Sequence, residues 1–162
     1  MVRVEEYLGT SFHPDREYVD GRIQERNLGD SDHSRLQILM AGYLLNREKQ
    51  WGITAFTDQR VQVKPSRFRV PDICVVLGGM PEERIFTHPP FLCIELLSPD
   101  DRAEEVQENL DDYLAFGVPY VWVVNPRTRR GCVHTQSSIT EARDGVLRTQ
   151  NPDIVVPLAE LG

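Results

Sequence analysis

The apolar stretch from Phe91 to Ser98 constrains the fold most, because it has a carboxylate near its centre. Its other seven side chains suit a buried β-strand, and Pro90 and Pro99 mark the ends of that strand. An unpaired carboxylate in a protein core costs several kcal/mol. Glu95 must therefore be paired, protonated or bound to a metal ion.

A second carboxylate, Asp72, enters another apolar run, 70–77. Alternation along a strand places Asp72 on the same face as Cys74, and Glu95 on the same face as Cys93. If the two strands are neighbours, the two carboxylates converge within a few ångströms. One of them then takes up a proton unless a cation lies between them, and magnesium is the natural oxygen-loving ion. The alternative is that arginines or backbone amides hold both acids.

The composition limits the function classes. A length of 162 residues favours one domain, and a net charge of −7 argues against coating nucleic acid non-specifically, although it allows a local basic groove. The three cysteines lack zinc-ligand spacing and indicate small buried residues in a reducing compartment. No apolar run approaches the ~18 residues of a membrane span, so we expect a cytoplasmic protein without membrane contact.

The order of elements predicts an α/β fold. Asp20-Gly21 favours a type I′ turn in a hairpin over 16–25. Helices are expected over 2–8, from Asp30-Ser31 to about Gln50, and from Ser98 as N-cap to Gly117. Further strands are predicted over 53–57, 61–64 and 119–124, with an edge strand over 132–135, and the strand–helix–strand unit over 91–124 predicts a parallel pair. One domain, 1–162, is expected to contain a mixed central sheet flanked by helices, with an N-terminal β-hairpin.

Several of these motifs together resemble a known family. Pro71-Asp72, a variable loop, and Glu95 in an apolar strand followed by a helix resemble the PD-(D/E)xK nuclease superfamily, and more closely its Uma-type restriction-endonuclease family. The similarity spans 17–126 and is carried by Glu17-Tyr18-Val19-Asp20-Gly21, His33-Ser34-Arg35-Leu36-Gln37, Val70-Pro71-Asp72-Ile73, Ile94-Glu95-Leu96-Leu97-Ser98-Pro99, Tyr113-Leu114-Ala115-Phe116-Gly117-Val118-Pro119 and Trp122-Val123-Val124-Asn125-Pro126.

The resemblance implies a restriction-endonuclease-like core and a Mg²⁺-dependent (or Mn²⁺-dependent) endonuclease that hydrolyses DNA phosphodiester bonds. It assigns Asp72 and Glu95 as metal ligands and Glu17, less directly, as a further acid. Related nucleases often cut as dimers, and an exposed edge strand at 132–135 would allow a homodimer.

The chain departs from the family pattern at the lysine. The superfamily places a lysine two residues after the second acid, where Leu97 stands, and Uma-type members often place it four residues before the tyrosine, where Asn109 stands. Asn109 can donate a hydrogen bond but has no charge, and Arg102 is the nearest candidate for a replacement charge. Loss of one catalytic donor typically costs about a hundred- to a thousandfold in rate.

Two other functions therefore remain open. The chain could be a catalytically degenerate member that binds nucleic acid or a protein, or a structural domain whose acids are paired with arginines. His33 is either a group that reaches the metal's water or an ordinary half-buried histidine. The arginines of predicted loops and strand ends are either phosphate ligands or exposed turn residues: Arg67, Arg69, Arg127, Arg129 and Arg130.

Overall fold

A six-stranded mixed sheet forms the centre of the protein in a computed structural model, which describes residues 1–162. The helices are α1 (Val4–Leu8), α2 (Ser31–Leu45), α3 (Glu48–Trp51) and α4 (Ala103–Phe116), with a short 3₁₀ helix at Leu158–Glu160. The strands are β1 (Glu17–Val19), β2 (Arg22–Gln24), β3 (Ile53–Thr57), β4 (Val61–Lys64), β5 (Arg67–Arg69), β6 (Ile73–Leu77), β7 (Leu92–Leu96), β8 (Tyr120–Val124), β9 (Gly131–His134), β10 (Ile139–Glu141), β11 (Val146–Arg148) and β12 (Val155–Pro157). No helix is both long and apolar enough to cross a membrane.

The central sheet has the strand order β10-β9-β8-β7-β6-β3. Only β7 and β8 are parallel, and α4 connects them, as the strand–helix–strand pattern predicts. The strands β6 and β7 are antiparallel neighbours, with Ile73 opposite Ile94 and Cys74 opposite Cys93. The next position outward in this register places Asp72 beside Glu95, so the convergence expected from strand alternation is confirmed.

Helices cover the two faces of this sheet. On one face, Leu36, Met40 and Leu44 of α2 belong to the same buried cluster as Ile94 and Trp122. On the other face, Leu110 and Tyr113 of α4 pack with the buried Cys74 and Cys93. Because side chains of a strand alternate between faces, the apolar spacing of both helices matches the face that each covers. The α4 face is also the face on which Asp72 and Glu95 are expected to lie.

The hairpin and the cap of α2 agree with prediction. Asp20 and Gly21 have φ values of 50° and 94°, the positive values that a type I′ turn requires. The Asp30 side chain accepts a hydrogen bond from His33 N and so caps α2. The helix ends at Leu45, earlier than the expected Gln50, and the separate short helix α3 follows it.

Three sequence-based predictions are wrong in detail. Arg67 and Arg69, expected in loops or strand ends, belong to a strand of their own, β5, in a second sheet of order β2-β1-β5-β4. The helix α4 begins at Ala103 with Arg102 as N-cap, instead of the predicted N-cap Ser98, because the Asp101 carboxylate accepts hydrogen bonds from Ser98 N and Ser98 Oγ and closes a turn there. The strand β9 is not an edge, since β10 pairs with its outer side.

Candidate active site

A cleft of about 200 Å³ opens where β6 begins and β7 ends, between the β1–β2 hairpin and α4. The structure brings four of the five predicted catalytic residues to its wall, namely Glu17, Asp72, Glu95 and Asn109. The fifth, Arg102, is exposed at the N-terminus of α4 and does not line the cleft. Four of the expected site residues, which come from distant parts of the chain, therefore share one concave surface.

Asp72 is buried, and several groups fix its carboxylate. Arg26 Nη2 lies 3.1 Å from Oδ1, and the backbone N–H of Leu96 donates to Oδ2 at 2.8 Å. His33 Nε2 lies 3.4 Å from the same Oδ2, and this contact raises the pKa of His33. The Leu96 amide thus links the end of β7 to the Asp72 carboxylate, and Arg26 supplies a positive charge beside it.

Glu95 is held by a neutral group. The Tyr113 hydroxyl donates to Oε1 at 2.6 Å, and no arginine, lysine or histidine forms an ion pair with this carboxylate. Burial raises the pKa of Glu95 well above its usual range, and the nearby charges of Asp72 and Glu17 raise it further. Its environment therefore favours either a proton or a bound cation at this position.

Glu17 lies in a buried ion-pair network that joins the second sheet to α4. Arg69 Nη1 donates to Glu17 Oε1 at 3.2 Å, and the Val70 amide donates to Oε2 at 2.8 Å. Arg69 Nε donates to Asp112 Oδ2 at 2.8 Å. Burial raises the pKa of Glu17, whereas the positive charge of Arg69 lowers it. Both oxygens of Glu17 are therefore engaged in holding β5 against β1.

The same network changes the interpretation of two arginines. Arg69 is only 3% exposed, and Arg67 binds Asp20 and Asp112 at 2.8 and 2.9 Å. Their guanidinium groups are thus occupied by acids of this chain and are not exposed phosphate ligands. Arg129 donates to the carbonyl oxygen of Leu161 at 2.8 Å, so it fastens the C-terminal turn.

The acidic donors suit a hard divalent cation. Seven acidic residues line the cleft, against two arginines and one histidine: Glu17, Glu25, Asp72, Glu95, Asp101, Glu105 and Glu108, with Arg26, Arg69 and His33. No group of three or more His, Cys, Asp or Glu side chains is arranged to hold a metal ion. Mg²⁺ keeps several of its waters and is commonly bound by one or two carboxylates, so Asp72 and Glu95 fit Mg²⁺ better than a metal that needs a full protein cage.

Comparison with known proteins places this chain in a family. A family model described as "Uma2: Putative restriction endonuclease" matches residues 4–159. The chain belongs to the Uma2 family. A crystal structure from Anabaena variabilis, described as "a putative nuclease belonging to DUF820", has a TM-score of 0.82 and 22% identity to this chain, covering 99% of this chain and 97% of that one. That likeness shows a shared fold. A comparison with curated proteins found no match.

The Uma2 assignment confirms the resemblance seen in the sequence, and the family description supports a nuclease-like function. The site also contains contacts that sequence reasoning missed. Arg26 follows the hairpin in an irregular segment, where no periodicity indicates the direction of a side chain. Tyr113 was named in the sequence only as part of a family motif, yet its hydroxyl donates a hydrogen bond to Glu95. The only sequence signal for a role of Tyr113 in the site was that it lies four residues after Asn109, the position where other family members often have a lysine.

Proposed function

We propose that this Uma2 protein is a metal-dependent nuclease that hydrolyses DNA phosphodiester bonds, with Asp72 and Glu95 as ligands of Mg²⁺ or Mn²⁺. The observation that carries the proposal is the meeting of these two carboxylates at the ends of β6 and β7, where Glu95 has no cationic partner. A divalent cation would compensate the charge that burial disfavours.

Held by Asp72 and Glu95, such a cation would supply Lewis-acid polarisation of the phosphodiester and would lower the pKa of a water molecule, so that hydroxide becomes available as the nucleophile. The residues of this chain would orient the reacting groups. The Leu96 amide and the Tyr113 hydroxyl fix one oxygen each of Asp72 and Glu95. Arg26 would leave Oδ1 of Asp72 and carry its charge to the phosphate, while Asn109 would donate a hydrogen bond where other family members have a lysine.

The proposal is tested by ion binding and by cleavage. Titration calorimetry with Mn²⁺ should show binding to the parent and to Asp153→Ala, an exposed acid outside the cleft, but not to Asp72→Ala or Glu95→Ala. Supercoiled plasmid with Mn²⁺ should be nicked by the same two proteins that bind the ion. Retained Mn²⁺ binding by both cleft variants would disprove the assignment of the ligands.

A second function is favoured by Leu97 and Asn109, which leave the cleft without a lysine. A degenerate family member would bind nucleic acid or a protein without cutting. Mn²⁺ binding that depends on Asp72 and Glu95, together with intact plasmid at high protein concentration, would support this alternative.

The proposed enzyme is also expected to work as a homodimer, and the sheet limits where two copies can pair. The free edges of the central sheet are β3 and β10, because β9 is covered. Light scattering on the purified protein measures the assembly directly.

A further inference from the structure

A second, wider cleft of about 800 Å³ adjoins the acidic one. The two share Arg26, Asn27, His33 and Asp72 in their walls. The far wall of the wide cleft comes from the segment 10–15 and from residues 58–60 and 84–85. Asp72 thus lies at the junction between a narrow acidic cleft and a broad open one.

The charges of the two clefts differ. Three arginines and two histidines line the wide cleft against three aspartates, in a protein whose net charge is −7: Arg26, Arg60, Arg84, His13 and His33, with Asp15, Asp58 and Asp72. The narrow cleft, in contrast, has more than twice as many acidic residues as arginines. A polyanion approaching Asp72 would therefore meet less repulsion through the wide cleft.

The arginines of the wide cleft are not equally available. Arg60 donates to both oxygens of Asp15 at 2.7 and 2.8 Å and stacks over Tyr7, so it is a fixed part of the wall. Arg84 is exposed and forms no ion pair with any acid of the chain. Arg26 is tied to Asp72, and a cation on Asp72 would compete for that bond. Arg84 is accordingly the free positive charge of this surface.

Apolar side chains accompany these charges. Leu28, which is 69% exposed, and the partly exposed Phe12 both line the wide cleft. Phosphate groups gain nothing from such surfaces, whereas unstacked nucleobases pack against them. In a duplex the base faces are stacked and unavailable, and they become accessible only in a single strand.

We propose that the wide cleft binds a single-stranded polynucleotide, with a phosphate at Arg84 and its bases against Phe12 and Leu28. Asp72 is only 5% exposed at the junction, and the flexible backbone of a single strand can bend to present a phosphate there. This inference names the substrate form of the proposed nuclease, so its catalytic meaning rests on the proposed function. Binding in the wide cleft does not.

Fluorescence anisotropy in EDTA, where no cleavage occurs, tests the binding. Fluorescein-labelled oligothymidylate, oligouridylate and a duplex of equal length serve as ligands. At least one single strand should bind tenfold or more tightly than the duplex, and comparison of the two single strands identifies the preferred sugar. A plot of log affinity against log salt concentration has a negative slope. In Arg84→Ala the magnitude of this slope should be smaller by about 0.7, which is the contribution of one phosphate contact on a single strand.

Two further variants complete the test. Arg143→Ala removes another exposed arginine, which lies outside both clefts, and should leave affinity and slope unchanged. Leu28→Ser should weaken single-strand binding several-fold with no change of slope. Duplex binding as tight as single-strand binding, or equal effects of Arg84→Ala and Arg143→Ala, would overturn the inference. Because the binding test is made without a divalent cation, intact single-strand binding together with failure to cleave both the single strands and the plasmid in Mn²⁺ would refute the proposed function alone.

Discussion

Replacing Arg69 with methionine tests whether the buried ion-pair network supports the cleft. The substitution keeps much of the aliphatic length of the side chain but removes the cation from Glu17 and Asp112, which are 7% and 3% exposed. Removing one partner of a buried ion pair typically costs about 3–5 kcal/mol. Asp112 keeps Arg67 Nη1 at 2.9 Å and Glu17 keeps the Val70 amide, so the lower end of about 3 kcal/mol is expected.

The loss should depend on pH. Burial already raises the pKa of Glu17, and Arg69 is the main influence that lowers it, so the variant should have a still higher Glu17 pKa in the folded state. A carboxyl group whose folded pKa lies above its unfolded pKa loses stability as pH rises from the unfolded value through the folded one. The stability difference between Arg69→Met and the parent should therefore be larger at pH 8 than at pH 5.

Thermal unfolding followed by circular dichroism measures both effects. For a chain of this length, about 3 kcal/mol corresponds to a Tm lower by about 6–12 °C. Arg148→Met is the matched control, because Arg148 pairs with Asp144 on the exposed surface, where an ion pair contributes little to stability, so its Tm should stay close to that of the parent. A Tm within 2 °C of the parent, by the same rule a loss of about 1 kcal/mol or less, or a deficit that is constant from pH 5 to pH 8, would refute the electrostatic argument.

Two other predictions concern the carboxylates directly. Glu95→Gln should raise the Tm measured in EDTA at pH 8, because it removes a charge that burial, Asp72 and Glu17 disfavour. The same variant should show no increase in Tm when Mn²⁺ is added. A lower Tm in EDTA would show instead that the charge stabilises the fold. Asn109→Lys should increase plasmid nicking by about a hundredfold or more if the missing lysine limits catalysis. If the parent nicks measurably, unchanged nicking by a well-folded variant would show that another donor already fills that role.

The meeting of Asp72 and Glu95 could be predicted from sequence for a simple physical reason. Both acids interrupt apolar strands, and alternation fixes which face each one shares. The parallel β7–β8 pair also followed from a strand, a helix and a strand in succession. In each case a local regularity determines part of the arrangement, whereas the pairing of β6 with β7, on which the meeting of the two acids depends, is supplied by the structure.

The contacts that set the charge of the site could not be predicted in this way. Arg26 reaches Asp72 from 46 residues away, out of a segment without regular structure. The turn at Ser98 shows the same limit, because a capping sequence was present but the Asp101 carboxylate bonded to Ser98 instead of leaving it free to cap. Which of several possible partners a side chain binds depends on where the fold places those partners, and a local sequence pattern does not contain that information.

The partners that each buried acid binds indicate whether a structural role is enough to explain it. Glu17 and Asp72 each have an arginine partner and a backbone amide, so a purely structural role accounts for both. Glu95 does not fit that explanation, because it faces two other acids with only the Tyr113 hydroxyl bound to it. Keeping such a carboxylate is unfavourable for the isolated fold. A cation bound at Asp72 and Glu95 would convert this unfavourable charge into a ligand, and that is the reason to look for metal chemistry at the ends of β6 and β7.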